Sequence, residues 1–235
     1  GHKVTFINEK GPVLKELQVG EELHFRTWDE YKLKLNPVKE AIILTKKNLT
    51  KQTPVIGFSG SAWTLFTYLT EGGSSKSFLK AREFLWKDTK NAEQIINLLV
   101  NAIINFLEVQ IDGGADAIML FDSWAGSLPA RFRKKFILDP TKKIVRHIKS
   151  TYPLIPIICF PKSIGEGIIE FVDTVKPNCI AVDHFTDMVF VNKYISKNVV
   201  VQGNIDPMCL VQGGEVLKKE VDYLLNLLRN RPYIF

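Results

Sequence analysis

A chain of 235 residues, 46% apolar and 24% charged, has the composition of a globular domain with room for one large core or two small ones. It has no unbroken apolar run near the ~20 residues of a membrane span. Its three cysteines, Cys159, Cys179 and Cys209, are too widely spaced for a disulfide framework or a paired-cysteine zinc site. The net charge of +6 favours anionic partners: nucleic acid, a membrane surface, or a polycarboxylate or phosphate ligand.

The chain opens Gly1-His2-Lys3-Val4, with neither an initiator methionine nor a basic-then-apolar leader. The expectation is a processed, trimmed or excised chain, and the cysteine usage points to the cytoplasm. Residues 3–7 and 22–25 read as short strands of a surface hairpin. Short β-branched apolar runs follow at residues 53–58, 115–122, 155–160, 179–184 and 199–203, and a sixth begins at 232–235. Such continuous apolar runs suit a parallel sheet covered on both faces.

Helical patterns fill the gaps. In residues 91–112, Ile95, Leu99, Ala102, Ile103, Phe106 and Val109 form one stripe, and Gly113-Gly114 follows as a stop. Asp139-Pro140 reads as a cap and first-turn pair opening a helix that turns Ile144, Val145 and Ile148 inward. Leu217, Val221, Leu224, Leu225 and Leu228 make a last stripe. Arg131-Phe132-Arg133-Lys134-Lys135, with Lys142, Lys143 and Arg146 downstream, reads as a solvated helix face. No helix-turn-helix, finger or RNA-binding signature accompanies it.

Alternating strands and helices mean βαβ units in a single α/β domain over residues 1–235, either a (β/α)8 barrel or an open doubly wound sheet. No GxGxxG or GxxxxGK[ST] fingerprint follows a strand, which counts against a nucleotide-binding sheet. Polar and glycine residues cluster where the strands end: Gly57 and Ser59, Asp122 and Ser123, Lys162, Asp183 and His184, then Gly203, Asn204 and Asp206. Barrel enzymes build their sites there. A closed barrel needs eight strands, and the sequence supplies five and a stub.

Four segments narrow the reading. The stretch from Gly57 to Gly73, GFSGSAWTLFTYLTEGG, resembles the GF-[SA]-G-x-P-x-T-L-x-x-Y-x-x-E-G segment of the uroporphyrinogen decarboxylase family. Leu120-Phe121-Asp122-Ser123-Trp124-Ala125-Gly126 resembles its LF-[DE]-S-x-A-G, and Gln202-Gly203-Asn204-Ile205-Asp206-Pro207 its QGN-[LI]-DP. Phe160-Pro161-Lys162 resembles the bacterial FPK segment. All four fall in the family's order, and the resemblance runs over the whole chain.

The resemblance implies an incomplete (β/α)8 TIM barrel, about strands three to seven and the start of the eighth. It implies decarboxylation of the four acetate side chains of uroporphyrinogen to give coproporphyrinogen. It implies no metal or organic cofactor, a homodimer, and no nucleic-acid or membrane partner. An anionic tetrapyrrole substrate with eight carboxylates fits the basic charge. The family's arginine-rich segment and its substrate-contacting aspartate would precede Gly1, and a histidine-bearing segment would follow Phe235. The chain is therefore read as an internal fragment, inactive alone, with no catalytic residue of its own.

The resemblance assigns Tyr68 and Ser123 to substrate binding. A phenol can pack a pyrrole edge while its hydroxyl bonds a carboxylate; the plain alternative is a half-buried tyrosine with an internal partner. The Ser123 hydroxyl can donate to a carboxylate, or instead close an ST-turn or cap a helix. Ser123 is not read as a nucleophile, because no histidine base pattern accompanies it. Phe121 can pack on substrate or in the core, and Lys162 can bind a carboxylate or stand free. Trp63 reads as core. His184 departs from the family pattern and reads as structural, while His147 and His24 read as surface. Asn204 and Asp206 read as shaping the turn before Pro207. Ser61-Ala62 departs from the family's small residue plus proline.

The implied chemistry is protonation of the pyrrole carbon beside each acetate, so that the ring accepts the electrons released as CO2 leaves. Two rivals stand beside it. A related barrel methyltransferase, demethylating cobalamin or methylating thiols, would bind zinc through a His-x-Cys pair and a later Cys, but His184 is followed by Phe185-Thr186. A non-catalytic remnant would bind a porphyrinogen or another chain through its open edges.

Overall fold

The computed structural model describes residues 4–7, 11–23, 27–73 and 75–235. It opens with an antiparallel hairpin, β1 (Val4–Ile7) and β2 (Gly11–Leu14). The hairpin expected from the sequence is there, but its second strand is Gly11–Leu14. Residues 22 and 23 are coil, and Lys3, His24 and Phe25 lie outside the described residues. Beyond β2 the chain straps across a later helix, with the Leu14 and Leu17 amides donating to the Gly72 and Leu69 carbonyls.

The main sheet has six strands: β3 (Ile56–Gly60), β4 (Ala117–Asp122), β5 (Ile157–Pro161), β6 (Cys179–Ala181), β7 (Val200–Gln202) and β8 (Tyr233–Ile234). All neighbours are parallel, and their order across the sheet is their order along the chain. This is the strand pattern of a (β/α)8 barrel, here open between β3 and β8 rather than closed. Each of the six runs read from the sequence holds one strand, displaced at its ends by up to three residues.

Helices cover the outer face. α1 (Trp28–Asn48) packs on α4 (Thr89–Asp112), and its Tyr31 hydroxyl donates to the Ala102 carbonyl. α2 (Ala62–Glu71) and α3 (Leu79–Lys87) follow β3. After β4 come a 3-10 turn (Ala125–Ser127), α5 (Ala130–Arg133), a π turn (Lys134–Leu138) and α6 (Asp139–Thr151). α7 (Gly167–Val175), α8 (Met188–Tyr194), α9 (Pro207–Gln212) and α10 (Gly214–Leu228) complete the layer. One core runs from the α2 aromatics through α4 and α6 to Leu224 and Leu228.

Asp139-Pro140 opens α6 with Pro140 in its first turn, as read, but Asp139 is not a cap, because the segment before it is already helical. The helical path already runs from Ala130, and Pro140 sits just after the π turn, where the Asp139 amide donates to the Lys134 carbonyl. Proline has no N–H and crowds the carbonyl four residues back, and the wider turn relieves both demands. The basic run on this segment is largely solvated, as read: Lys135 pairs with Glu93, and the Arg131 guanidinium lies 4.6 Å from the Trp86 ring centroid. α4 is the one described helix long and apolar enough to cross a bilayer, yet half of that stretch is buried against its neighbours. Gln110 of α4 also closes part of the sheet edge. Its amide donates to the Phe58 carbonyl and accepts from the Phe58 N–H, both at 2.9 Å, so this edge residue is hydrogen-bonded without a neighbouring strand.

Candidate substrate-binding site

Side chains alternate across the sheet. On β4, Ile118, Leu120 and Asp122 turn toward the helices, while Met119 and Phe121 turn to the inner face. The inner face is apolar, built on Met119, Ile158, Cys179 and Ala181. Near the carboxyl ends of β3, β4 and β5, three aromatic rings lie side by side. Phe58 meets Phe121 edge-on at 6.0 Å between centroids, and Phe121 meets Phe160 at 6.3 Å. Phe58 is 59% exposed, which a core phenylalanine would not be. Such rings offer a flat apolar ligand both edges and faces.

Ser123 follows β4 directly and is half-buried. Its hydroxyl makes no hydrogen bond among the described residues, and the 3-10 turn after it has no side-chain cap. The ST-turn and capping alternatives are therefore not realised. Tyr68 lies on α2, half-buried, and its hydroxyl likewise has no partner among the described residues. Its ring meets the Trp124 indole edge-on at 6.4 Å, and Phe78 packs on that indole at 4.8 Å. Trp124 thus brings Tyr68 alongside the turn that carries Ser123.

The residues around the pair are committed to structure. Trp63 is core, as read: it is fully buried, stacks on Phe66 at 5.6 Å, and donates its indole N–H to the Trp124 carbonyl at 3.0 Å. Asp122 is enclosed behind the strand end. The Thr64 hydroxyl donates to its Oδ1 at 2.8 Å, and its Oδ2 has no partner. Burial pushes the carboxyl from 3.8 up to about 7, and the single Thr64 hydrogen bond only partly opposes this. Asp183 is a knot for the next loop, accepting from the Ser163 amide at 2.6 Å, the Phe185 amide at 3.0 Å and the Thr186 hydroxyl at 3.2 Å.

Asn204 does shape the seventh-strand end. Its amide donates to the Asp183 and Thr186 carbonyls, tying the β6 and β7 loops together. Asp206 caps α9 by accepting from the Met208 amide. Gly203 has φ +98°, and a Cβ there would sit 2.7 Å from the Val182 carbonyl oxygen, so only glycine fits. Lys162 is half-buried after β5, with its backbone bonded to Asp122, Phe160 and Gly126. His184 is exposed at the same strand-end rim, its ring 4.0 Å from that of Phe185, so it does not take the structural role read for it. His147 is not a bare surface residue either, because it hydrogen-bonds Glu108 across α6 and α4 at 2.8 Å. His24 lies outside the described residues. No group of three metal-ligating side chains occurs among the described residues.

Sequence reasoning singled out Phe121 but passed over Phe58, Phe160 and Trp124. The signal for the first two was the strand alternation itself, since each falls on the same face as Phe121 once registers are set.

The family model for uroporphyrinogen decarboxylase (URO-D) matches residues 1–235. The chain belongs to the uroporphyrinogen decarboxylase family. It is 37% identical over 235 residues to the uroporphyrinogen decarboxylase of Rickettsia bellii (strain RML369-C), covering all of this chain and 68% of that protein. It is 34% identical to that of Jannaschia sp. (strain CCS1), covering 69% of it, and 32% identical to that of Gluconobacter oxydans (strain 621H), covering 67%. The chain thus spans about two thirds of the length of these family members. The family fold is the TIM barrel, and the six sequential parallel strands are part of it.

Proposed function

We propose that residues 1–235 form one domain, the substrate-binding wall of a uroporphyrinogen decarboxylase, with Tyr68 and Ser123 facing the tetrapyrrole. The observation that carries this is the pair of hydroxyls without partners among the described residues, with Tyr68 against the Trp124 indole and Ser123 two residues beyond Phe121 of the Phe58–Phe121–Phe160 row. Neither hydroxyl is among the enclosed polar atoms that lack a partner, so both reach solvent and are free to donate to an anionic, flat ligand. The rings would pack the pyrroles, while the two hydroxyls donate to side-chain carboxylates.

The same geometry supports binding rather than proton transfer. The two buried aspartates at the rim are held away from substrate, Asp183 by three donors and Asp122 behind the strand. The protonation that drives CO2 release, and the charge that stabilises the electron-poor ring, fall to groups other than those described. The reading extends to a cytoplasmic homodimer that needs neither nucleic acid nor membrane, supported by the resemblance and by the burial of α4.

The test is a pair of measurements on this chain. Uroporphyrin, the stable oxidised octacarboxylate, should bind and quench tryptophan fluorescence, and Tyr68→Phe and Ser123→Ala should each weaken it. Incubation with uroporphyrinogen should give no coproporphyrinogen. Turnover by the chain would overturn the division of labour, and undiminished binding by both variants would overturn the site.

A further inference from the structure

Three hydrogen bonds tie α2 to the turn that carries Ser123. The Ser61 amide donates to the Phe121 carbonyl at 2.9 Å, the Thr64 hydroxyl to Asp122 Oδ1 at 2.8 Å, and the Trp63 indole to the Trp124 carbonyl at 3.0 Å. They bracket Ser123 on both sides along the chain and leave its own hydroxyl untouched. Tyr68 lies four residues beyond Thr64, on the same face of α2. The clasp that fixes Thr64 against β4 therefore also sets where Tyr68 stands relative to Ser123.

The Thr64–Asp122 bond is a poor device for stability alone. Thr64 is 4% exposed and Asp122 2%, and a carboxyl enclosed with one neutral donor and one unbonded oxygen is costly to bury. Two apolar side chains of similar size would fill the space at less cost. What an apolar pair lacks is direction. Alongside the packing of Trp63 and Phe66, the hydroxyl–carboxyl bond fixes the contact of α2 with β4 at Thr64, one turn from Tyr68.

We propose that Asp122 and Thr64 are positioning residues, holding Tyr68 and Ser123 at the spacing that lets both hydroxyls grip carboxylates of one tetrapyrrole. The inference rests on the reading of Tyr68 and Ser123 as the substrate-facing pair. Neither Asp122 nor Thr64 touches substrate, since both lie on the helix side of β4.

The experiment is uroporphyrin titration of the whole chain, read by tryptophan quenching, beside thermal melts of each variant. Thr64→Val keeps the shape and deletes the bond, and it should weaken binding on the order of tenfold while the protein stays folded. Thr64→Ser should restore affinity to within about threefold, because it restores the donor. Asp122→Asn keeps the acceptor for Thr64 and should bind like the unmodified chain, whereas Asp122→Leu should lose affinity with Thr64→Val. A merely structural role would lower the melting temperature and leave the affinity of the folded protein unchanged. If Asp122→Leu does not fold, the Thr64→Val and Thr64→Ser pair decides. Unchanged affinity in folded Thr64→Val, with losses in Tyr68→Phe and Ser123→Ala, overturns the positioning role and leaves the site standing. No binding by the unmodified chain, or none lost in those two variants, overturns the site and this inference with it.

Discussion

Replacing Asp122 by asparagine should change how stability depends on pH, with a sign and size set by burial. The folded chain raises this carboxyl from 3.8 to about 7, while the unfolded chain leaves it near the ordinary value. As pH rises, the unfolded state gives up its proton first, and the folded state must either keep the proton or bury a charge. Asp122 therefore costs nothing below about pH 4, destabilises progressively between about pH 4 and pH 7, and adds no further cost above that range. A span of about 3 pH units, at 1.36 kcal/mol for each, sets a ceiling of about 4 kcal/mol, and relaxation of the site brings the expected loss to about 2–4 kcal/mol. Asparagine keeps the oxygen that Thr64 needs and cannot ionise. Its amide N–H groups meet the surroundings that leave Oδ2 unbonded, a pH-independent cost of about 1–3 kcal/mol. Urea unfolding of both proteins at several pH values from about 4.5 to 8 measures the difference between them, in which every other titrating group cancels. That difference should move by about 2–4 kcal/mol in favour of the asparagine variant as pH rises. A difference that stays constant within about 0.5 kcal/mol would refute the reasoning.

Two further perturbations follow from the same region. A Cβ at Gly126 would lie 2.4 Å from the Ser163 carbonyl oxygen, and the Gly126 amide donates to the Lys162 carbonyl, so neither side can yield without losing that bond. Gly126→Ala should cost about 2–4 kcal/mol and lower the melting temperature on the order of 5–15 °C, and an unchanged melt would mean the β4 and β5 loops are not packed as described. The thiols of Cys159 and Cys179 are buried, and burial raises both, Cys179 up to about 12, whereas Cys209 is partly exposed. A disulfide reagent at neutral pH should therefore label one thiol quickly and two only on unfolding, and three fast thiols would show that β5 and β6 open readily.

Much of the architecture was legible because parallel strands are buried on both faces, which writes β-branched runs with glycine or proline at their ends. The stripe of α4 was equally plain, and that of α10 in part, since Leu224 and Leu228 are buried while Leu225 is exposed. α1 was not, because it buries no side chain and contains Pro37, so neither periodicity nor propensity marks it. The π turn before Pro140 escaped notice because Asp-Pro is written the same way at a helix start and beside a bulge. At the site, the motif residues Tyr68 and Ser123 stood out in the sequence, but the choice between internal and free hydroxyls did not. That choice depends on which backbone groups lie within reach, and no spacing encodes it. The role of Asp122 was hidden for a related reason. Its position at the end of an apolar strand reads as rim, and only the side-chain alternation turns it behind the sheet.

The strand order has a consequence for how the chain is made. Because β3 to β8 lie side by side in the order in which they are synthesised, each new strand emerges next to its partner already in place. No strand must wait for a later one to be inserted between it and its neighbour. The sheet can therefore lengthen one βα unit at a time behind the ribosome, its growing edge always the newest strand.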